Sequence, residues 1–368
     1  MTTFTQPTHS PYRFDVVGSF LRPEALKEAR EKFEKGDISK KELTKVENEA
    51  IIDLIQKEEA AGLKAVTDGE FRRSWWHLDF FWGLTGVKKV GLESGYFFNG
   101  EETRAETARI TGKISGENHP FVDDFKFVKA HASDNVDVKQ TIPAPAQFYF
   151  EIIRPENIEA TKKYYDSREE LLDDIASAYK QVINDLYEAG ARTIQLDDCT
   201  WGTIVSKEFE ESRFELAEIF ITVNNKATEG LPEDLVINTH VCRGNFHSTW
   251  ASSGGYDSVA TPLFDRGNYN AYFLEYDTER AGGFEPLENV SEGKSVVLGL
   301  VTSKDGELEE KEDIKKRIQE ASKYVDLDNL YLSPQCGFAS TEEGNILTED
   351  QQWNKIKLIK EVAEEVWG

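Results

Sequence analysis

His240 and Cys242 stand one residue apart in the stretch NTHVCRGN, and Glu275 and Cys336 follow in FLEYD and LSPQCG. Imidazole, thiolate and carboxylate are all zinc ligands. The chain holds only 6 histidines and 3 cysteines, so this spacing asks for a reason. On a strand, residues i and i+2 share a face, and both side chains can reach one point. Singly, each residue has a plain reading. A lone buried cysteine is most often a small apolar core residue, and H-x-C alone matches no zinc-finger spacing. Together the four suggest a metal centre. Two thiolates, a carboxylate and a neutral imidazole around a dication leave a site of about −1. Such a site activates water poorly compared with the histidine-rich sites of hydrolases. It still lowers the pKa of an incoming thiol while keeping the sulfur nucleophilic. The pattern therefore favours alkylation of a thiol. Glu275, the hardest ligand, is the one expected to yield to a substrate sulfur.

Residues this far apart need a scaffold that gathers strand ends. Eight short apolar or β-branched runs are bounded by turn residues: 14–19, 63–70, 136–145, 191–199, 235–242, 270–277, 294–303 and 329–337. Most are continuously apolar, as strands covered on both faces should be. Helical patterns separate them. Ser39 with Glu42 reads as a capping box ahead of a helix ending at Gly62, and Ser167 with Glu170 as another, ending at Gly190. Residues 206–228 and 310–324 are periodic. Thr348 with Gln351 opens a last helix with Trp353, Ile356, Ile359, Val362 and Val366 on one stripe. This alternation predicts an α/β fold, a (β/α)8 TIM-type barrel in preference to an open doubly wound sheet. The C-terminal strand ends of a barrel form its active-site face, and His240, Cys242, Glu275 and Cys336 all fall there.

Residues 71–135 are too long for an ordinary connection. They carry WWHLDFFWGL and then GYFFNGEETRAETARITGKISG. The segment reads as a hairpin-containing insertion after strand two, lying over one end of the barrel as a stabilising excursion or a substrate cover. No internal repeat, low-complexity tract or linker interrupts residues 1–368, which points to a single catalytic domain.

Composition bounds the partners. Hydrophobic residues make up 39% and charged residues 30%, ordinary for a soluble globular protein. A net charge of −25 argues against nucleic acid, whose phosphates it would repel. No run of 18 apolar residues predicts a membrane span. The N-terminal stretch MTTFTQPTHSPYRF lacks signal-peptide character, and an odd, scattered set of cysteines implies no disulfide framework. A cytoplasmic protein with reduced thiols is expected. The oligomeric state is not encoded legibly.

NTHVCRGN, FLEYD and LSPQCGF resemble the H-x-C, Glu, Cys zinc set of the cobalamin-independent methionine synthases. VVGSF (16–20) is similar to that family's G-S-F segment, TDGEFRR (67–73) to its G-E segment and IQLDD (194–198) to its I-Q-I-D-E segment. The matches keep the family's order, cover most of the chain and correspond to its C-terminal catalytic barrel, as in a single-barrel relative. The resemblance implies zinc-dependent methyl transfer to the thiol of homocysteine, giving methionine. It implies Zn2+ on His240, Cys242, Glu275 and Cys336, and the amino-acid end of homocysteine on Gly18, Ser19, Glu70 and Asp197. A serine offers donors to a carboxylate, and the two acids can pair with an ammonium group. Their plain alternative is structural ion pairing. The donor implied is 5-methyltetrahydrofolate, in polyglutamate form.

Departures from the family pattern concern the donor. Asp198 and Cys199 replace Glu and Pro, which leaves Cys199 as a spare thiol or a buried one. The family's histidine after strand seven is lost; Lys304 and Asp305 stand there. A folate nitrogen leaves poorly unless protonated, so the catalytic acid lies open between Asp197 and Lys304. PAPAQFYF (143–150) replaces a stretch where the family carries a tryptophan near the pterin, and Phe148 and Tyr149 could stack on a ring or be core. Arg22, Arg72 and Arg73 could meet substrate carboxylates or form salt bridges; His77 and His247 lie near the motifs. A corrinoid methyl group is the rival donor, and a thiol other than homocysteine the rival acceptor. Two other classes remain: a metal-free uroporphyrinogen-decarboxylase-like barrel, which needs a basic pocket, and a non-catalytic zinc-binding barrel.

Overall fold

The computed structural model describes residues 4–368. Seven parallel strands form one curled, barrel-like sheet: β1 (Ala65–Val66), β2 (Asp137–Pro143), β3 (Thr193–Asp197), β4 (Val236–Val241), β5 (Ala271–Glu275), β6 (Ser295–Val301) and β7 (Leu330–Pro334). They lie in chain order, and every connection leads to a parallel neighbour. The strands are buried almost throughout, which explains their unbroken apolar runs. One face packs into the main core with the helices. On the other, Phe273, Val297 and Tyr331 meet Val17 in a small separate cluster, because these three are register partners across β5, β6 and β7.

Register sets the site. Pro143 lies opposite Asp197, Asp197 opposite His240, and His240 opposite Phe273. The sheet thus holds Asp197 and His240 at one level on adjacent strands.

Two expected strands differ. Residues 14–19 form no regular strand. Phe14 makes a single parallel bridge to Leu332, the Asp15 N–H donates to Leu332 O at 3.0 Å, and the Phe20 N–H donates to Gly69 O at 3.1 Å. Gly18 interrupts the run with φ 142°, and a Cβ there would stand 2.8 Å from Thr141 Cγ2; only glycine tolerates both constraints. The run expected over 63–70 shrinks to Ala65–Val66. Gly69 (φ 63°) and Glu70 (φ 62°) are both left-handed, so the chain turns out of the sheet. For Glu70 this is a strained conformation.

Helix ends follow the sequence closely. Ser39 and Glu42 complete a capping box on α1 (Lys40–Ala61), and Gly62 ends that helix at φ 90°. Thr348 and Gln351 do the same on the last helix, Glu349–Trp367. At Arg168–Glu188 only half the box forms. Ser167 accepts the Glu170 N–H, while the Glu170 side chain pairs with Lys113.

Within 71–135, Thr85–Gly91 pairs antiparallel with Glu106–Ser115, and Phe97–Phe98 with Glu101–Glu102. The end of the segment, Phe121–His131, is a helix packed on α1 and β2, an ordinary layer helix. PAPAQFYF also departs from expectation. Pro145–Ile152 is a helix with proline in its first turn, a favoured start signal.

Candidate metal and thiol site

His240 ends β4, Cys242 follows it, and Cys336 follows β7. All three are buried, and their ligand atoms lie within 4.8 Å of one another. His240 Nδ1 stands 3.0 Å from Phe273 O. A carbonyl oxygen only accepts, so Nδ1 carries the proton and Nε2 presents a lone pair. That Nε2 is buried without a partner. An oriented imidazole with one free nitrogen beside two thiols is the arrangement a metal ligand needs. The neighbouring Cys242 thiol, then burial, pushes Cys336 well above the usual thiol range. Cys242 is raised likewise, first by contact with Cys199. A bound dication would reverse this by stabilising the thiolates.

Glu275 lies outside this group. Its Oε2 accepts the Arg243 N–H at 2.8 Å, and its Oε1 accepts from Arg280 at 3.3 Å. Burial alone would raise a carboxyl pKa. Glu275 is nonetheless held below its usual value, because Lys304, Arg243 and Arg280 outweigh burial. The fully buried carboxylate stays charged without a metal.

Cys199 opens the short helix Cys199–Ile204, capped by Asp198, which accepts the Thr200 N–H. Its Sγ is 3.0 Å from Cys242 Sγ. Gly202 makes this approach possible, since a Cβ there would meet Cys242 O at 1.9 Å.

Ser19, Glu70 and Asp197 line the same cavity as His240, Cys242 and Cys336. Gly18 does not; its carbonyl accepts from Thr67 Oγ1 at 2.7 Å. Glu70 Oε1 meets Arg73 at 3.2 Å and Thr141 Oγ1 at 3.1 Å, while its Oε2 is buried and unpartnered. Asp197 Oδ1 accepts from Gln195 at 2.7 Å. Burial, then the nearby Glu70 charge, pushes Asp197 well above the carboxylate range, and burial also raises Glu70. A cation between them would relieve both.

The cavity is about 500 Å³. Its outer walls are aromatic, with Trp76, Tyr96, Phe97 and Phe98 from the 71–135 segment facing Phe150 and Phe209. Sequence reasoning named Phe148 and Tyr149, but both are buried, and Phe148 packs on Phe81 at 4.8 Å. The helix and the turn that follows it instead bring Gln147, Phe150, Glu151 and Arg154 to the cavity. That is an i, i+3, i+4, i+7 face, which the proline start signal could have revealed. His77 lines the wall too. Its Nε2 lies 3.4 Å from the Tyr96 hydroxyl, which donates to Glu151 at 2.8 Å. Burial lowers the His77 pKa to about 3, so it is neutral near pH 7.

The other basic residues named from the sequence lie off the cavity wall. Arg22 donates to Phe20 O and Ala339 O, and Arg72 pairs with Glu47 and Asp124. Arg73 braces Glu70. Lys304 lies 3.9 Å from Asp277 and is not on the cavity wall. His247 is half-exposed beside Glu101 at 3.7 Å.

A family profile described as the cobalamin-independent synthase catalytic domain matches residues 14–364. The chain belongs to that family. Among its relatives is the uncharacterized protein YxjH of Bacillus subtilis (strain 168), 45% identical over 366 residues, covering 97% of this chain and 95% of that one. A Listeria monocytogenes structure, solved as a candidate vitamin-B12-independent methionine synthase, superposes with TM-score 0.77 at 37% identity, covering 98% and 100% of the two chains. A B12-independent methionine synthase from Shewanella sp. W3-18-1, solved with selenomethionine, shares the fold at TM-score 0.73 and 22% identity, covering 96% and 97%. In this family member, no helix among the described residues is long and apolar enough to cross a membrane.

Proposed function

We propose that the protein is a zinc-dependent methyltransferase that methylates the thiol of homocysteine to give methionine. The observation that carries this is the unpartnered, buried His240 Nε2 beside Cys242 and Cys336, in a chain of the cobalamin-independent synthase family. His240, Cys242 and Cys336 would hold zinc, with Glu275 as an exchangeable fourth ligand. Zinc supplies acidification of the incoming thiol without loss of its nucleophilicity.

The chain's own residues do the rest. The free Glu70 Oε2, with Asp197, takes the substrate ammonium. Ser19 stands ready for the carboxylate; its Oγ lies 3.3 Å from the Ala339 N–H. Burial of these groups keeps water from competing and strengthens each charge contact. Lys304 does not line the cavity, and Asp197, paired as a carboxylate with the ammonium, holds no proton to give, so neither is assigned as the catalytic acid. The whole chain is read as one catalytic barrel. Residues 14–20 would close the sheet in the eighth position, and 71–135 would cover its mouth.

The aromatic outer walls suit a flat-ring donor such as 5-methyltetrahydrofolate. One observation favours a second donor reading. Arg154 is the one Lys or Arg among the described lining residues, and Glu151 and Glu156 already hold it at 3.3 and 3.5 Å. The cavity lining therefore offers a polyglutamate tail no free cation, and a corrinoid methyl group is the alternative donor.

Zinc content of the purified protein and of Cys336→Ser tests the metal. Near-stoichiometric zinc, lost in the variant, is expected, and equal zinc in both would end this reading. Assays with methyl-folate, its triglutamate and methylcobalamin then identify the donor.

A further inference from the structure

We propose that Arg280 is a positioning residue that receives the Glu275 carboxylate when the substrate thiol takes its place. This rests on the reading of Glu275 as an exchangeable zinc ligand. A carboxylate released inside a protein needs a cation waiting for it, because an unpaired buried charge is strongly disfavoured. The structure holds that receptor already assembled. Glu275 is 0% exposed. Arg280 Nη2 meets its Oε1 at 3.3 Å, and the Arg243 N–H fixes its Oε2 at 2.8 Å.

The surrounding charges suit an alternation. Arg280 also lies 3.6 Å from Asp277 Oδ1, and Lys304 stands 3.9 Å from Asp277 Oδ2. Two carboxylates and two cations balance when Glu275 sits on Arg280. With Glu275 on the metal, Arg280 and Lys304 share Asp277, and the extra positive charge offsets the anionic metal site. An incoming thiolate brings the negative charge that Glu275 carries away, so the metal site keeps its charge of about −1 while Glu275 neutralises the Arg280–Lys304–Asp277 cluster. Lys304 Nζ, Arg280 Nε and both Asp277 oxygens are buried without hydrogen bonds. Asp277 and Lys304 can therefore shift toward Arg280 without losing a hydrogen bond of their own, and only the two bonds on Glu275 break when it leaves for the metal. Arg280 itself is pinned over the Trp250 ring at 4.4 Å, which keeps the receptor in place.

The test uses full-length, zinc-loaded protein as wild type, Arg280→Met and Arg280→Lys, with and without homocysteine. X-ray absorption counts sulfur neighbours of zinc, and competition titration gives zinc affinity. Wild type is expected to gain one sulfur with homocysteine. Arg280→Met should keep its oxygen ligand, bind homocysteine at least about tenfold more weakly, and hold zinc as tightly as wild type or more so. Arg280→Lys should restore the sulfur gain. In a Glu275→Gln background the methionine change should add nothing, as coupled residues require. Arg280→Gln replaces Arg280→Met if the latter fails to fold. Homocysteine uptake by Arg280→Met equal to wild type overturns the proposal. A wild type without zinc, or without a sulfur gain, instead defeats the exchanging-zinc reading beneath it, so the two failures are distinct.

Discussion

Cys199 Sγ lies 3.0 Å from Cys242 Sγ, yet only Cys242 belongs to the histidine–cysteine group within 4.8 Å. Adjacent strands explain the approach. Asp197 and His240 are register partners, and the Asp198 N–H donates to His240 O at 2.7 Å. The residue after each pair is carried to the same place. Cys199 is therefore a neighbour of the metal group. Cys199→Ser should retain zinc at wild-type stoichiometry, while Cys242→Ser should lose it. Zinc loss in Cys199→Ser, measured by elemental analysis, would make Cys199 a ligand and displace Glu275 from that role.

Asp197→Asn should separate stability from function. Asp197 is fully buried and its pKa is pushed well up by burial and by Glu70. A raised folded pKa contributes stability at low pH that is lost as pH rises through it. The variant should match wild type in acid and exceed it at neutral pH, by on the order of 1–3 °C in Tm. It should also weaken homocysteine binding, because half of the ammonium site becomes neutral. Calorimetry from pH 4 to 8 checks the first part and binding titration the second. A Tm below wild type at pH 7 would contradict the charge-repulsion account.

Gly337 sits directly against the substrate site. A Cβ there would stand 1.9 Å from Ser19 Oγ, too close without displacing Ser19. Gly337→Ala should cost about 1–3 kcal/mol by overpacking and raise KM for homocysteine more than for the methyl donor. Equal KM changes for the two would place Ser19 away from the amino-acid end.

Tyr96→Phe removes the hydroxyl between His77 and Glu151. Glu151 keeps Thr107 and Arg154, but His77 Nε2 is left without a partner, which costs about 1–3 kcal/mol. Because Tyr96 lies on the aromatic outer wall, the KM of the methyl donor should rise several-fold, with homocysteine affinity and zinc content unchanged. An effect on homocysteine alone would assign this wall to the other substrate.

Much of the scaffold was legible because local signals carried it. Buried parallel strands advertise themselves as apolar runs, and capping residues mark helix starts. The first two runs misled because Gly18 in one, and Gly69 with Glu70 in the other, bend the backbone where composition alone reads extended. The aromatic wall was missed for a different reason. PAPAQFYF is apolar throughout, and only its helical turn decides that Phe150 faces the cavity while Phe148 faces the core.

The sequence by itself determined which residue types could meet a soft metal and a thiol, because HVC, a strand-end glutamate and a late cysteine are scarce and ordered. It also determined the family, through motifs spread along most of the chain. Only the tertiary structure decided that His240 keeps Nε2 free, that Glu275 rests on Arg243 and Arg280, and that Lys304 is turned to Asp277. Those outcomes depend on strand register and on charges contributed by neighbouring loops. Register is set by packing over the whole sheet, and no window of sequence contains it.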